Sequence, residues 1–178
     1  MRSDAQRLTL RLANPFTLSY GTTTERQNVL VRVHDGAFTG VGEAAVVPYY
    51  GETPDRVLGY VSDPACEAAL AATDPLLLDD ALDGLPVGAS SAARAALDMA
   101  LHDLWGQRLG HPLYRLWGLN PTRVPPSSFT VAMSDDEDDF RARLLEVRGF
   151  DVIKLKLGGG DWRYDLERVR LARSTVAA

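Results

Sequence analysis

The sequence predicts an α+β part followed by alternating strands and helices that would build a parallel sheet. Three observations support this fold class. Residues 6–43 show the alternation of apolar and polar residues that is typical of strands, and residues 91–109 show the periodicity of an amphipathic helix. After a proline-rich break at residues 120–126, strand and helix patterns alternate, which indicates βαβ units.

The N-terminal segment is expected to form a small antiparallel meander. Leucines alternate with polar residues over 8–12, an Asn-Pro pair at 14–15 interrupts that strand, and valines alternate over 29–33. An Asp-Gly pair at 35–36 follows directly, which is a strong signal for a tight hairpin turn. Residues 38–42 should therefore form the returning strand.

The middle of the chain is predicted to be a loop followed by helices. Two prolines and a glycine over 46–54 favour a loop rather than a regular element. Residues 53–82 are rich in alanine and leucine and should form short helices. The clearest helix covers 91–109, and either Ser90 or Ser91 is suited to cap its N-terminus.

The C-terminal part is predicted as two successive βα units. Residues 128–133 form the first strand, and Ser134 is expected to cap a helix with an acidic first turn. Residues 151–157 form the second strand, the glycines at 158–160 a turn, and Asp161 the cap of the final helix.

Composition and length exclude several classes of protein. The 178 residues cannot hold a complete eight-stranded α/β barrel, which needs about 250 residues. A net charge of −5 disfavours nucleic acid and anionic lipid as partners. No signal peptide or long apolar run is visible, and the single cysteine, Cys66, excludes an intrachain disulfide, so we expect a cytoplasmic protein with no membrane partner.

The two lysines are the most informative residues. Among 19 basic residues only Lys154 and Lys156 are lysines, and strand alternation puts them on one face, opposite Ile153 and Leu155. Two adjacent ammonium groups disfavour each other's protonation, so one of them can act as a general base, which arginine cannot. The alternative is a strand end with two solvated lysines, and the residues alone leave both interpretations open.

Other clusters of polar residues are better explained by structure than by chemistry. Asp161 and Asp165, like the acidic run at 135–139, suit helix N-termini rather than a metal site. His102 can bond Asp98 one helical turn away, and the other histidines are expected to pack or lie at strand edges. Cys66 is expected to be a small packing residue.

Several segments resemble one known family. The chain is similar to the N-terminal part of enolase-superfamily proteins of the mandelate racemase and muconate-lactonizing type, and within them to the dipeptide (L-Ala-D/L-Glu) epimerases. The resemblance is carried by residues 14–33, by GVGEAAVVPYYGET at 40–53, by 94–118, and by FTVAM at 129–133 with DVIKLKLG at 151–158.

This resemblance implies a fold and a pair of catalytic residues. An α+β capping domain would cover residues 1–122, and residues 123–178 would form the first two βα units of a modified TIM-type (β/α) barrel that is incomplete in this chain. Lys156 would remove the proton α to a substrate carboxylate. Lys154 would help neutralise that carboxylate and favour the neutral form of the base.

The resemblance also implies the substrate contacts. Thr130 on the preceding strand, together with Lys154, would bind the substrate. Loops at 18–24 and 47–53, with Tyr20 and Tyr50, would close over it. The partner would be a small-molecule carboxylate, most simply a dipeptide, and the family implies Mg²⁺ to hold the carboxylate and stabilise an enediolate. The apolar faces of two barrel units would favour self-association as a homo-oligomer.

The family's acidic metal ligands and its opposing lysine lie on later strands, so no metal ligand is expected in this chain. The chain alone is therefore predicted to be inactive. Three alternative activities on the same scaffold stay open: cycloisomerase, o-succinylbenzoate synthase and N-acylamino-acid racemase. A non-catalytic fragment that acts as an interaction module is the alternative from another class.

Overall fold

The structure, a computed structural model, divides the chain into two compact units. The described residues are 1–19, 21–88, 90–158 and 160–176. Unit 1 comprises residues 1–10 and 26–122, and unit 2 comprises residues 11–25 and 123–178. The predicted domain division between 122 and 123 stays a prediction. Within the described ranges, no helix combines the length and apolarity that crossing a membrane requires.

A three-stranded sheet begins the chain, with strands in the order β1 (Arg2–Leu18), β2 (Gly21–Asp35) and β3 (Phe38–Ala44). Strands β2 and β3 pair antiparallel, with Val29 opposite Ala44 at one end and Asp35 opposite Phe38 at the other. The tight hairpin predicted from the Asp-Gly pair is confirmed. Gly36 supplies the left-handed backbone that this turn needs, with φ of 58°.

The predicted interruption of the first strand was wrong. Strand β1 continues through Asn14 and Pro15 to Leu18. Strand β1 lies at the edge of the three-stranded sheet, and in an edge strand the missing N–H of proline costs no ladder hydrogen bond where it faces away from the neighbouring strand.

The rest of unit 1 is helical. A single 3₁₀ turn lies in the predicted loop. Side chains cap the N-termini of several of the helices that follow. The elements are a 3₁₀ turn at Pro48–Tyr50, α1 at Pro54–Val61, α2 at Pro64–Ala72, α3 at Leu78–Asp83, α4 at Ser91–Leu109, α5 at Leu113–Leu116 and a 3₁₀ turn at Pro121–Arg123.

Helix α4 has the predicted bounds and is the centre of the unit 1 core. The Ala93 amide donates to Ser90 Oγ at 3.1 Å, so Ser90 is the N-cap, and Gly110 ends the helix with φ of 66°. The helix packs on strand β3 and on the buried valines of β2. Its fully buried residues are Ala93, Ala96, Leu97, Ala100, Leu101 and Leu104.

Strand β3 approaches α4 unusually closely because two of its inward-facing residues are glycines. A Cβ atom added to Gly40 would lie 1.9 Å from the carbonyl oxygen of Ala100. A Cβ added to Gly42 would lie 1.9 Å from the carbonyl oxygen of Ala96. The sequence Gly-Val-Gly therefore sets the distance between sheet and helix.

Unit 2 contains two βα units, β4 (Ser128–Val131), α6 (Glu137–Glu146), β5 (Val152–Leu155) and α7 (Trp162–Val176). The two strands pair parallel, as predicted. A small apolar core joins the strands and both helices. It comprises Val131, Phe140, Leu144, Val147 and Ala172, with Ile153, Leu155, Leu171 and Val176 packed against it.

Helix α6 begins differently from the prediction. Asp136, not Ser134, is its N-cap and accepts from the amides of Asp138 and Asp139 at 2.8 and 3.0 Å. Ser134 instead donates to the Asp139 carboxylate at 2.6 Å. Aspartate competes well for the cap because its charge also interacts favourably with the helix dipole.

Candidate active site

The parallel pair of strands places two predicted site residues side by side. In the register of β4 and β5, Thr130 lies opposite Lys154. Residues opposite each other in a sheet project from the same face. The Lys156 amide donates to the Val131 carbonyl oxygen at 3.0 Å, so the hydrogen bonding continues one step beyond β5. Thr130, Lys154 and Lys156 thus lie together at the C-terminal end of this sheet.

The two faces of β5 have opposite characters. Ile153 and Leu155 are partly buried and pack against the core formed with the helices. Val152 and Lys154 are exposed on the other face, and Lys156 is partly buried. The alternation that was read from the sequence is confirmed for this strand, and Lys154 lies on its exposed face.

Helix α7 reaches back to the loop that follows β4. The Tyr164 hydroxyl donates to the Ser134 carbonyl oxygen at 2.8 Å, and Arg168 Nη2 donates to the Asp135 carbonyl oxygen at 3.0 Å. Arg168 is 8% exposed, and its guanidinium carbon lies 4.6 Å from the centre of the Tyr164 ring. A buried arginine is thereby held in one orientation.

The same helix also binds the loop that follows β5. Both carboxylate oxygens of Asp165 accept from the Gly158 amide at 3.1 Å, two residues after Lys156. Sequence reasoning assigned Asp165 only to the helix dipole and missed this contact. The available signal was the spacing of Tyr164, Asp165 and Arg168, which puts the three polar residues on one side of the helix.

The C-terminal part of β1 and the N-terminal part of β2 belong to unit 2, and Thr17 of β1 lies beside the segment that follows β4. The Met133 amide donates to the Thr17 carbonyl oxygen at 3.2 Å, and the hydroxyls of Thr17 and Thr22 are 3.0 Å apart. Thr17 therefore lies next to the segment that follows β4, with Thr22 bonded to it. The predicted substrate residue Tyr20 lies outside the described residues.

The second predicted substrate loop, residues 47–53, is part of unit 1. Tyr50 is 75% exposed, and its ring meets that of Tyr49 edge to face with centres 5.2 Å apart. The loop is tied at its start, where the Val46 amide donates to the buried Asn28 at 3.1 Å. The structure does not bring Tyr50 into one unit with the lysines.

Glu52 ties the other end of this loop to helix α4. Its carboxylate accepts from the hydroxyls of Ser90 and Ser91 at 2.7 and 3.0 Å, and from the Ala92 amide at 3.2 Å. Burial alone would raise the pKa of Glu52, but these hydrogen bonds outweigh it and lower the pKa below its ordinary value. The charged carboxylate is thus the form that holds the loop.

Replacing Glu52 with glutamine is expected to lower the free energy of unfolding by about 2 kcal/mol at pH 7, because hydrogen bonds to a buried charge are lost. A lowered pKa gives stability that is present above the unfolded value near 4.3 and is lost as the pH falls through the folded value. The difference between wild type and Glu52→Gln in urea unfolding should therefore shrink at acid pH.

The control for this experiment is Glu67→Gln, since Glu67 is an exposed acid in the first turn of α2. It should change the unfolding free energy little at either pH. A difference between wild type and Glu52→Gln that stays constant from pH 7 down to acid pH would contradict the role of the charge.

Among the described residues, the acidic side chains do not gather into a metal site. In the portions of the chain that the structure describes, no three His, Cys, Asp or Glu side chains lie close enough to hold a metal ion. Asp161 instead caps α7, where the Arg163 amide donates to it at 2.9 Å. The run at 135–139 forms the cap and first turn of α6. The side chains that the structure describes therefore form no cluster that fits Mg²⁺.

Two other residues have the structural roles that the sequence predicted. His102 Nδ1 lies 2.7 Å from Asp98 Oδ1, one helical turn away. Cys66 is fully buried, and burial raises the pKa of its thiol to about 11, so it is an inert packing residue.

Comparison with known proteins gives matches over most of the chain. The family model described as "Mandelate racemase / muconate lactonizing enzyme, N-terminal domain" matches residues 4–118. The L-Ala-D/L-Glu epimerase of Bacteroides thetaiotaomicron is 37% identical over 165 residues, which are 90% of this chain and 42% of that protein.

Solved structures match the fold of nearly the whole chain. The dipeptide epimerase from Cytophaga hutchinsonii, complexed with Mg and D-Ala-L-Val, has a TM-score of 0.81 at 27% identity, over 97% of this chain and 48% of that one. The muconate lactonizing enzyme from Pseudomonas fluorescens, complexed with muconolactone, has a TM-score of 0.83 at 26% identity, over 98% of this chain and 49% of that one. The chain spans about half the length of the relatives it matches.

Proposed function

Because this chain belongs to the mandelate racemase / muconate lactonizing enzyme family, whose N-terminal domain model covers residues 4–118, we propose that the complete protein is an isomerase. Its reaction begins with removal of the proton α to a carboxylate. The sheet and helices of unit 1 form the capping domain of the enolase superfamily, and unit 2 supplies the first βα units of the barrel.

The observation that supports this proposal is the arrangement of Thr130, Lys154 and Lys156 at the C-terminal end of two parallel strands. Active sites of α/β barrels lie at this end. The neutral amine of Lys156 takes the α-proton, and the ammonium group of Lys154 stays charged beside the substrate carboxylate. Thr130, opposite Lys154, supplies a hydroxyl to the same substrate.

The substrate we propose is a dipeptide. The 37% identical relative is an L-Ala-D/L-Glu epimerase, and one matching structure contains D-Ala-L-Val. Tyr50 and the loop around Tyr20 would select the side chain. The same structure is complexed with Mg, so we propose Mg²⁺ as the cofactor of the complete protein. The described residues of this chain form no site for it.

The experiment that tests this function uses NMR to follow the replacement of the α-proton of dipeptides by deuterium in deuterated water. The complete protein should exchange and invert the α-carbon of an L-Ala-L-Glu type substrate, whereas acylated amino acids and muconate should react at least about tenfold more slowly. Absence of exchange with every dipeptide in the panel would contradict the proposal.

A cycloisomerase is the second candidate, since a muconate lactonizing enzyme is among the matching structures. That reaction also needs a lysine beside the carbon α to a carboxylate, so the unit 2 lysines do not distinguish the two. Turnover of muconate with no exchange in dipeptides would favour it.

A further inference from the structure

Three side chains of α7, Tyr164, Asp165 and Arg168, contact the loops that follow both strands of unit 2, and we call them the α7 clamp. Two of the three bind backbone carbonyl groups after β4, and Asp165 binds a backbone amide after β5. The loops that follow barrel strands are the ones that build a barrel active site. The clamp therefore acts on backbone next to the candidate base rather than on a distant surface.

Arg168 makes this arrangement stiff. Its guanidinium is nearly fully buried, lies over Tyr164, and leaves Nε without a hydrogen-bond partner among the described residues. Burying an arginine is costly unless its position is well compensated. Arg168, Tyr164 and Lys156 line one cavity of about 10 Å³, which has room for about one water molecule. Lys156 consequently has little free space on the side of α7.

We propose that Asp165 is a positioning residue for Lys156, and that Tyr164 and Arg168 fix α7 so that Asp165 can do this. The proposal rests on the proposed function, in which Lys156 is the base. A base must be held close to its productive geometry, and a displacement of 1 Å can cost about 100-fold in rate. By holding the Gly158 amide, Asp165 fixes the backbone two residues after Lys156.

The competing explanation is that Asp165 only stabilises the first turn of α7 through its charge. The two roles separate in Asp165→Asn, which keeps an oxygen that can accept from Gly158 but removes the charge. If Asp165 positions Lys156, the surroundings of the Lys156 side chain should be unchanged in Asp165→Asn and altered in Asp165→Ala. If Asp165 acts only through its charge on the helix dipole, both substitutions should affect the Lys156 side chain to the same extent.

The experiment uses the fact that Lys154 and Lys156 are the only lysines. Reductive methylation with ¹³C-formaldehyde gives one NMR signal for each lysine and one for the N-terminal amine, and Lys154→Arg and Lys156→Arg assign the two lysine signals. Asp165→Ala is expected to move or broaden the Lys156 signal by more than its linewidth. Asp165→Asn should leave it at the wild-type position, and so should Glu167→Ala, which changes an exposed acid on the same helix.

A second measurement needs no variant. Exchange of the Gly158 amide with solvent in the wild-type chain should be at least about tenfold slower than the intrinsic rate of an unprotected glycine amide, because Asp165 accepts from Gly158. The proposal is overturned by a Lys156 signal that does not move in folded Asp165→Ala, or by equal effects of Asp165→Ala and Asp165→Asn. If Asp165→Ala does not fold, an unprotected Gly158 amide overturns it. Neither the Lys156 signal nor the protection of the Gly158 amide needs a substrate. A failure of the dipeptide α-proton exchange assay would therefore count against the proposed function alone.

Discussion

Replacing Lys156 with arginine is expected to lower α-proton exchange in the complete protein by at least about 100-fold. Arginine keeps the positive charge and most of the length of lysine, but it does not lose its proton in a protein and so cannot accept one from carbon. General-base catalysis contributes about 10²–10⁴-fold, which sets the size of the loss. Deuterium incorporation at the α-carbon, followed by NMR, measures it.

Two variants show whether the loss is specific to the base. Lys154→Arg should reduce exchange less than Lys156→Arg, because the proposed role of Lys154 requires only a positive charge near the carboxylate. Arg141→Lys changes an exposed cation of α6, paired with Glu137 at 3.0 Å, and should leave the rate unchanged. Exchange that survives in Lys156→Arg would assign the base to another residue.

Substituting Gly42 with alanine is expected to destabilise unit 1 by about 3 kcal/mol or more. The new methyl group would lie 1.9 Å from the Ala96 carbonyl oxygen, and this neighbour is helix backbone, which cannot rotate away as a side chain could. Overpacking a core costs about 1–3 kcal/mol, and a clash between two backbones belongs at the upper end. Chemical unfolding of the variant should show a lower midpoint.

The matched control is Gly59→Ala in helix α1. Gly59 has no neighbouring heavy atom within 4 Å of an added Cβ, and its backbone is helical. Alanine there should stabilise the chain by about 0.5–1 kcal/mol, because glycine is the poorer helix former. A Gly42→Ala protein as stable as wild type would show that β3 and α4 can separate without cost.

Elements with strong local signals were predictable from the sequence. Helix α4 has a periodic apolar stripe, a serine cap and a terminal glycine, and its observed bounds agree with the prediction. Strand β1 was cut short in the prediction because the effect of Pro15 depends on whether the strand lies at a sheet edge, which is a tertiary property. The cap of α6 was misplaced because several neighbouring residues can all cap a helix, and their competition is decided by local geometry.

The candidate site could be predicted from the sequence only in part. Strand alternation placed Lys154 and Lys156 on one face, but the register that puts Thr130 opposite Lys154 is set by the pairing of two strands. Asp165 resembles any acid in a first helical turn, and its bond to Gly158 depends on how α7 returns to the sheet. The contact of Glu52 with α4 likewise joins residues about 40 positions apart.

The membership of residues 11–25 in unit 2 has a consequence for synthesis of the chain. The Arg143 guanidinium donates to the Pro15 carbonyl oxygen at 3.1 Å, and these residues are 128 positions apart. At about 5–20 residues per second, the segment around Pro15 leaves the ribosome roughly 6 to 25 seconds before Arg143 does. During that interval its edge strand is open to other chains, and the proline in β1 protects it by removing a donor from the exposed edge.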